Sequence, residues 1–117
     1  MSYERKKLGQ IGEDLALEFL LNKKYKLIKR NLRLKVGEID LLMSEKDTLV
    51  VVEVKTKSNN RFGLPQEEVD WHKRHKLTLL SQEVLQKYPE AKIRIDVVAV
   101  DESTKRIDHI ISAVEGI

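Results

Sequence analysis

The chain opens with apolar residues at the spacing of an amphipathic helix. Steps of three and four residues separate these positions: Leu8, Ile11, Leu15 and Phe19. This period predicts a first helix over residues 4–23. A narrow seam of small residues lies on the same helix: Gly9, Gly12 and Ala16. A seam of this kind allows another element to pack very close to the helix.

A two-residue alternation then replaces the helical period. Residues 25–33 alternate in character and predict a strand. Two apolar runs follow, 41–43 and 49–52, on either side of the polar segment 44–48. This arrangement is typical of a β-hairpin around a short charged turn. If the turn is centred between residues 46 and 47, opposed residues have numbers that sum to 93.

The second half of the chain predicts another helix and two more strands. Four apolar positions mark a helix from residue 66 to residue 87, ended near Pro89: Val69, Leu77, Leu80 and Val84. Residues 93–100 predict a buried strand, and residues 106–114 predict a last strand at the sheet edge. The order α-β-β-β-α-β-β predicts one α/β domain over residues 1–117, with a central mixed β-sheet flanked by helices.

The hairpin register brings two acidic side chains together. Asp40 falls opposite Glu53, and Glu38 falls opposite Lys55. Facing positions place Cβ atoms ~5 Å apart, and like charges placed so are destabilising. A divalent cation between the two carboxylates would relieve the repulsion, and sites with few oxygen ligands suit Mg²⁺ or Mn²⁺. The alternative is structural: Glu38 and Lys55 form a cross-strand ion pair, and no metal is bound.

Two lysines bear on the same cluster. Lys55 follows Glu53 by two residues, so both side chains leave the same face of the strand. Lys73 stands in the apolar stripe of the second helix, where another apolar residue is expected. Either the stem of Lys73 is buried and its amine reaches water, or its amine reaches the hairpin carboxylates.

Positive charge is concentrated in the first third of the chain. Residues 1–35 hold ten Lys and Arg against four Asp and Glu, whereas residues 36–117 hold twelve against fifteen. Cations that hold phosphates, beside carboxylates that hold a metal, are what a phosphodiester-cleaving site requires. The alternative is a solvated, lysine-rich surface. Four cations are candidates for nucleic-acid contacts: Arg30, Arg33, Lys57 and Arg61.

Composition excludes several classes of function. The absence of cysteine excludes disulfides, thiolate catalysis and cysteine-ligated zinc. The chain has neither a phosphate-binding glycine loop nor a nucleophile elbow. The first residues are charged, unlike a signal peptide, and no apolar run approaches the ~20 residues of a membrane span. We therefore predict a soluble, cytoplasmic protein. Its single tryptophan, Trp71, either packs at the helix edge or stacks on a nucleobase.

Seven short motifs follow one another along the chain. They are Gly9-x-x-Gly12-Glu13-x-x-Ala16, Arg30-Asn31-x-Arg33, Gly37-Glu38-Ile39-Asp40-Leu41, Val52-Glu53-Val54-Lys55, Phe62-Gly63-x-Pro65, Val69-Asp70-x-x-Lys73 and Arg94-x-Asp96-Val97-Val98. In this order they resemble the YraN-like family of small bacterial proteins. That family is similar to the restriction-endonuclease-like (PD-(D/E)XK) nucleases, particularly archaeal-type Holliday-junction resolvases. The resemblance covers about residues 8–114.

The resemblance implies a restriction-endonuclease-like fold and a role for each motif residue. Asp40 would bridge a Mg²⁺ or Mn²⁺ ion, Glu53 would be the second ligand, and the backbone carbonyl of Val54 would complete the set. Lys55 would orient the attacking water and stabilise charge on the scissile phosphate. Glu13 is similar to an extra N-terminal glutamate of the resolvases and would reach the same metal. Three further residues would support the site: Glu38, Lys73 and Asp96.

Three functions are compatible with these residues. The first is a metal-dependent endonuclease or DNA-processing protein that hydrolyses phosphodiester bonds, with branched DNA as a candidate substrate. The second is a nucleic-acid-binding module that keeps a nuclease fold without turnover, and the third is a scaffold in which the charged residues are structural. The resemblance to resolvases also implies a homodimer, because a four-way junction presents two equivalent strands.

Overall fold

The chain, described here from a computed structural model over residues 3–57 and 71–114, follows the predicted order of elements. The elements are α1 (Tyr3–Asn22), β1 (Lys26–Leu34), β2 (Gly37–Glu45), β3 (Thr48–Lys57), α2 (Trp71–Lys87), β4 (Lys92–Asp101) and β5 (Ile107–Ile110). The predicted α/β class and the order α-β-β-β-α-β-β are thus confirmed. The first residues of the predicted second helix, 66–70, and the candidate Arg61 lie outside the described residues.

The five strands form one mixed sheet in the order β1-β2-β3-β4-β5. Neighbouring strands are antiparallel except β3 and β4, which are parallel. A parallel pair cannot be joined by a tight turn and needs a crossover, usually a helix. Helix α2 lies in the crossover between β3 and β4, so its position in sequence explains the single parallel pair.

The hairpin register is the one that the sequence predicts. Glu45 pairs with Thr48, and Leu41 pairs with Val52, so opposed residues have numbers that sum to 93. Lys46, in the two-residue turn, adopts a left-handed φ of 53°. The register is well determined because a slip of one residue would turn every apolar side chain of these strands to the other face.

Each face of the sheet is covered by one helix. Residues of α1 and one set of strand residues form the first apolar cluster: Ala16, Leu20, Tyr25, Leu41, Met43, Val50, Val52, Val98 and Val100. Residues of α2 and the alternate strand positions form the second: Ile39, Leu42, Val51, Leu77, Leu80, Val84, Ile95, Val97 and Val114. Strands β3 and β4 contribute to both clusters, as expected for central strands buried on both faces.

The small-residue seam of α1 makes the close approach that the sequence allows. A Cβ atom added at Gly12 would lie 1.9 Å from Oγ1 of Thr56 on β3, so helix and strand touch at that glycine. A Cβ atom added at Gly9 would meet nothing within 4 Å. Only one of the two seam glycines is therefore required for packing.

The last strand is shorter than predicted. Pairing with β4 extends from Ile107 to Ile110, whereas the sequence pattern suggested residues 106–114. The chain turns at Ser112, whose φ is 55°, and the amide of Ala113 then bonds to the carbonyl of Ile95. The turn ends β5, and the apolar Val114 joins the cluster under α2. Over the described residues, neither helix has the length and apolar character that crossing a bilayer demands.

Candidate carboxylate–lysine site

The predicted carboxylates lie where the hairpin strands β2 and β3 begin to separate. Their ladder ends at the pair Leu41–Val52, and Asp40 and Glu53 are the next residues on each strand. Instead of continuing the ladder, Asp40 accepts a hydrogen bond through Oδ2 from the backbone N–H of Val54, at 2.8 Å. The side chain of Asp40 is thereby fixed beside the strand that carries Glu53.

These two carboxylates open into a small cleft of about 150 Å³ between the sheet and α2. Its lining consists of three acidic residues, two lysines and two leucines: Glu38, Asp40, Glu53, Lys73, Lys76, Leu77 and Leu80. We call this space the carboxylate cleft. Its apolar floor is the core under α2, so charges placed in the cleft are shielded from water on one side.

The environment of Asp40 disfavours the ionised form of its carboxyl group. Burial raises its pKa, and the nearby carboxylates of Glu53 and Glu13 raise it further. The Val54 amide and Lys73 act in the opposite direction but do not compensate, so the pKa reaches about 7, against an ordinary value of 3.8. At neutral pH, the carboxyl group of Asp40 is therefore about half protonated. A bound cation would favour its ionised form.

Glu53 forms an ion pair with a lysine of α2. The Nζ atom of Lys73 lies 2.9 Å from Oε1 of Glu53, and the glutamate side chain is only 13% exposed. Burial disfavours the charge of Lys73, but its contact with Glu53 outweighs that effect and raises its pKa. Of the two interpretations of Lys73 left open by the sequence, the structure thus adopts the one in which its amine reaches the hairpin carboxylates.

Glu13 approaches the same cluster from the other side of the sheet. Its Oε1 atom accepts from Nε of Arg30 at 3.4 Å and from Nδ2 of Asn31 at 3.1 Å. The same Asn31 amide donates to Oε1 of Glu38 at 3.3 Å. Glu13 acts on the charge of Asp40 through space, while its own oxygen is held by residues of β1.

Asn31 is the residue that sequence analysis did not select for the site. It lies between the pairs Arg30–Leu41 and Leu32–Ile39, at the position level with Asp40, and has a left-handed φ of 53°. A left-handed φ is uncommon for a residue other than glycine, and backbone of this kind clusters at functional sites. The available signal was asparagine inside a strand pattern, since asparagine is depleted in strands but tolerates left-handed backbone.

The other lysine of the motif is also beside the cleft. Lys55 is half-buried two residues after Glu53 on β3, and the neighbouring Thr56 is the residue against which Gly12 of α1 packs. The close contact of α1 with β3 thus fixes the end of the strand that carries both Glu53 and Lys55.

The predicted nucleic-acid contacts lie in different surroundings. Arg30 is 29% exposed and pairs with Glu13 and Asp14 on α1. Arg33 is 83% exposed and lies 3.7 Å from Glu38, so Glu38 has a cross-strand cation on β1. Lys57 ends β3 and is half-buried. Of the described candidates, Arg33 is thus the most accessible to a ligand.

Asp96 does not join the carboxylate cleft. In the parallel register of β3 and β4, Asp96 pairs with Val52, and Glu53 pairs with Val97. Asp96 therefore points to the α1 face, while the neighbouring Val97 belongs to the cluster under α2. There Asp96 bonds to Arg94 and His109 instead.

A metal ion would depend mainly on two side chains. Within residues 3–57 and 71–114, no three His, Asp or Glu side chains are grouped as a ready metal site. Asp40 and Glu53 supply the hard oxygen donors that Mg²⁺ and Mn²⁺ prefer, with the Val54 carbonyl as the neighbouring backbone oxygen. Ions of this kind keep several waters and are bound by one or two carboxylates, so the donor set fits.

The fold and the cleft together define an α/β protein whose mixed sheet carries a carboxylate–lysine site where two strands separate. The sequence profile of the uncharacterised protein family UPF0102 matches residues 12–100, and the chain belongs to that family. A UPF0102 protein of Clostridioides difficile is 40% identical, with 92% of this chain and 96% of the relative aligned. A UPF0102 protein of Caldanaerobacter subterraneus is 34% identical, with 93% and 95% aligned. This confirms the membership that the ordered motifs indicated.

Proposed function

We propose that this protein is a metal-dependent nuclease that hydrolyses phosphodiester bonds, with branched DNA as its substrate. The observation that carries the proposal is the excess of negative charge at Asp40, whose pKa is raised to about 7 beside Glu53 and Glu13. Perturbed titration in a cleft, with a specific charge partner, is characteristic of functional sites. The resemblance of the motifs to PD-(D/E)XK nucleases supplies the reaction class.

The proposed roles follow from the positions of the side chains. A divalent cation held by Asp40, Glu53 and the Val54 carbonyl would supply water activation and charge neutralisation at a phosphate. Lys55 would stabilise the charge that develops on the scissile phosphate. Lys73, whose amine already contacts Glu53, would hold that carboxylate in place. Arg33 and Lys57 would bind the flanking phosphates.

A cleavage assay tests the proposal. The substrates are linear duplex, single strand, flap and four-way junction, each with Mg²⁺ and with Mn²⁺. We expect metal-dependent cutting that Asp40→Asn and Glu53→Gln reduce by on the order of 100-fold or more. Asp47→Asn is the matched control, because Asp47 belongs to the same hairpin but is 71% exposed and pairs with Lys92. Residual cutting by both site variants would show contamination and remove the support for the site.

A second function is favoured by the contact between Lys73 and Glu53. An ammonium 2.9 Å from the carboxylate already neutralises part of the charge that a metal would neutralise. The alternative is therefore a nucleic-acid-binding module without turnover. It predicts affinity that falls steeply with salt but is unchanged by metal and by Asp40→Asn, together with no cleavage of any substrate in the panel.

The proposal includes a two-fold homodimer, because a four-way junction presents two equivalent strands. Light scattering on the free protein and on a junction complex measures the mass. Twice the monomer mass of 13.6 kDa is expected. A monomer that persists at high concentration and on junction DNA would remove this part of the proposal and leave the chemistry untouched.

A further inference from the structure

A second cleft lies on the other side of α2 from the carboxylate cleft. Its volume is about 480 Å³, within the range of ligand-binding clefts. One wall consists of α2 side chains, Trp71, Arg74, His75 and Thr78, and the other of residues 112–114, which follow β5. We call it the aromatic cleft. It shares no lining residue with the carboxylate cleft.

The indole of Trp71 is the unusual feature of this cleft. It is 70% exposed, so it contributes little to the core and does not pack at the helix edge. Its ring is stacked on His75, with centroids 5.4 Å apart and 6° between the planes, and it meets His72 edge-on at 5.1 Å. An aromatic pair of this kind holds the indole in one orientation while most of its surface faces solvent.

The part of α2 that follows Trp71 is rich in basic side chains. Residues 72–76 are His-Lys-Arg-His-Lys, and the first turn of α2 carries no acidic residue. Two members of this run, Lys73 and Lys76, line the carboxylate cleft, while Arg74 and His75 line the aromatic cleft. One turn and a half of helix thus presents cations to both clefts.

The two clefts are separated by the width of α2. A helix with its side chains is ~10–12 Å across, and nucleotides rise ~3.4 Å each along a strand of B-form DNA. A chain of nucleotides that passes around α2 from a phosphate in the carboxylate cleft would therefore need at least about three steps to reach the aromatic cleft.

We propose that the aromatic cleft binds an unpaired nucleotide, by stacking its base on Trp71 and holding its phosphate with Arg74. A base inside a duplex has both faces covered by its neighbours, so only an unpaired base can use the indole. Single-stranded nucleic acid is bound elsewhere by this combination of stacking aromatic and cationic groove. The inference deepens the proposed function, and rests on it for the identity of the ligand as nucleic acid.

Intrinsic fluorescence provides a direct test, because Trp71 is the only tryptophan. The wild-type protein is titrated, without metal, with a single-stranded oligonucleotide, with an abasic strand of equal length and with the matching duplex. Quenching by the single strand that clearly exceeds quenching by the other two is expected. Equal quenching by the abasic strand would show that phosphates alone approach Trp71, and would overturn the proposal.

Substitutions at Trp71 add a second readout, the anisotropy of a labelled strand. Trp71→Ala should weaken binding of the single strand by roughly 5- to 150-fold, the range of one stacked base, and leave the duplex affinity unchanged. Trp71→Phe should retain most of the affinity. Tyr88→Ala is the matched control, since Tyr88 is an exposed aromatic that follows α2 at its other end. Unchanged single-strand affinity in Trp71→Ala would overturn the proposal.

Failure of this inference can be told apart from failure of the nuclease proposal. Base-dependent quenching by a protein that cuts none of the substrates would support the aromatic cleft and contradict the nuclease. Metal-dependent cutting without base-dependent quenching would do the reverse. Asp47→Asn should quench like the wild type, because Asp47 pairs with Lys92 in the hairpin turn and lines neither cleft.

Discussion

Two buried acidic clusters occupy opposite faces of the same sheet, and they are built in opposite ways. At Asp40, a half-buried carboxyl group has other carboxylates beside it and a pKa raised to about 7. At Asp96, which is fully buried, donors surround the carboxylate, and its pKa is lowered although burial alone would raise it. Burial is common to both, so the neighbours decide the outcome.

The Asp96 cluster is complete in itself. Asp96 pairs with Arg94 Nε at 2.8 Å and with His109 Nε2 at 2.8 Å, and it accepts from the Ser112 amide at 3.1 Å. Lys23 Nζ lies 2.7 Å from His109 Nδ1, and lysine can only donate. Nδ1 is therefore the acceptor, and Nε2 carries the hydrogen that is donated to Asp96. Every partner the carboxylate needs comes from the chain.

The contrast distinguishes a carboxylate that stabilises the fold from a carboxylate that is available to bind a ligand. A buried charge with a full set of partners strengthens the fold and has nothing left to offer a ligand. A buried charge beside like charges stores repulsion that only a proton or a cation relieves. The Asp40 cluster is therefore the candidate for ligand binding, and the Asp96 cluster fixes the turn after β5. Each of the following predictions tests that division.

The largest expected effect is on stability. Asp96→Asn should lower the free energy of unfolding at pH 7 by about 3 kcal/mol, because it removes the buried carboxylate to which Arg94 and His109 bond and leaves Arg94 with Glu45 alone. Asp40→Asn should not lower it, since the amide oxygen still accepts from Val54 and the repulsion is removed. Chemical denaturation of both variants measures the difference. Equal losses of unfolding free energy in the two variants would show that Asp40 and Asp96 both stabilise the fold, and would contradict the division between the two clusters.

The pH dependence of stability should also have opposite signs in the two clusters. The folded pKa of Asp40 is raised, so its carboxyl favours the folded state below pH 4, and that contribution is lost as the pH rises to about 7. At about 1.4 kcal/mol per pKa unit, reduced for partial exposure, the loss is about 2–3 kcal/mol. The folded pKa of Asp96 is lowered, so its contribution is present above pH 4 and lost below it.

Denaturation of wild type, Asp40→Asn and Asp96→Asn between pH 3 and pH 8 measures both contributions. Asp40→Asn should gain stability relative to the wild type as the pH rises from 4 to 8, while Asp96→Asn should lose stability relative to the wild type as the pH rises from 3 to 4. A wild-type profile parallel to that of Asp40→Asn would mean that the carboxyl group of Asp40 titrates normally.

Metal should stabilise one cluster and leave the other unaffected. At ten times its dissociation constant, Mg²⁺ or Mn²⁺ should raise the free energy of unfolding by about 1.4 kcal/mol. The gain should vanish in Glu53→Gln and persist in Asp96→Asn. Because the ligand must be ionised, the gain should also grow as the pH rises through 7, with release of a proton. If Asp96→Asn removed the stabilisation by metal, the ion would bind at the Asp96 cluster on the α1 face, and the proposed site at Asp40 would be contradicted.

The same comparison shows what the sequence could reveal. The hairpin register follows from a two-residue turn and an apolar alternation, so the opposition of Asp40 and Glu53 could be predicted. The face of Asp96 depends on the pairing of β3 with β4, two strands joined through a helix. No tight turn fixes that register, and Asp96 therefore could not be assigned to the α1 face from the sequence.

Two other features depend on long-range contacts in the same way. The left-handed Asn31, which links Glu13 to Glu38, is a local departure from a regular ladder that composition alone indicates weakly. The exposure of Trp71 depends on which side of α2 the sheet covers, and one tryptophan in an amphipathic helix does not reveal this. The membership of the family was accessible because it rests on motif order instead of geometry.

The smallest expected effect concerns how α1 holds the Asp40 cluster. A methyl group at Gly12 collides with Thr56, 1.9 Å from its Oγ1 and 2.8 Å from its Cβ, so Gly12→Ala must move the helix or β3. Overpacking costs about 2 kcal/mol, and the better helix propensity of alanine returns about 1, for a net loss of about 1 kcal/mol. Differential scanning calorimetry measures it. The cleavage rate of the proposed nuclease should fall by more than the loss of folded protein accounts for, because Lys55 and Glu53 lie on the displaced strand.

Gly9→Ala is the matched control on the same helix. An added Cβ at Gly9 has nothing within 4 Å, so the helix propensity acts alone and should stabilise the protein by about 0.5–1 kcal/mol. Cleavage should stay at the wild-type level. The double variant Gly12→Ala/Thr56→Ala, which removes the nearest atom, should recover part of the loss. If Gly12→Ala instead behaves like Gly9→Ala, the contact between α1 and β3 does not position the carboxylate cleft, and the cleft is set by the hairpin alone.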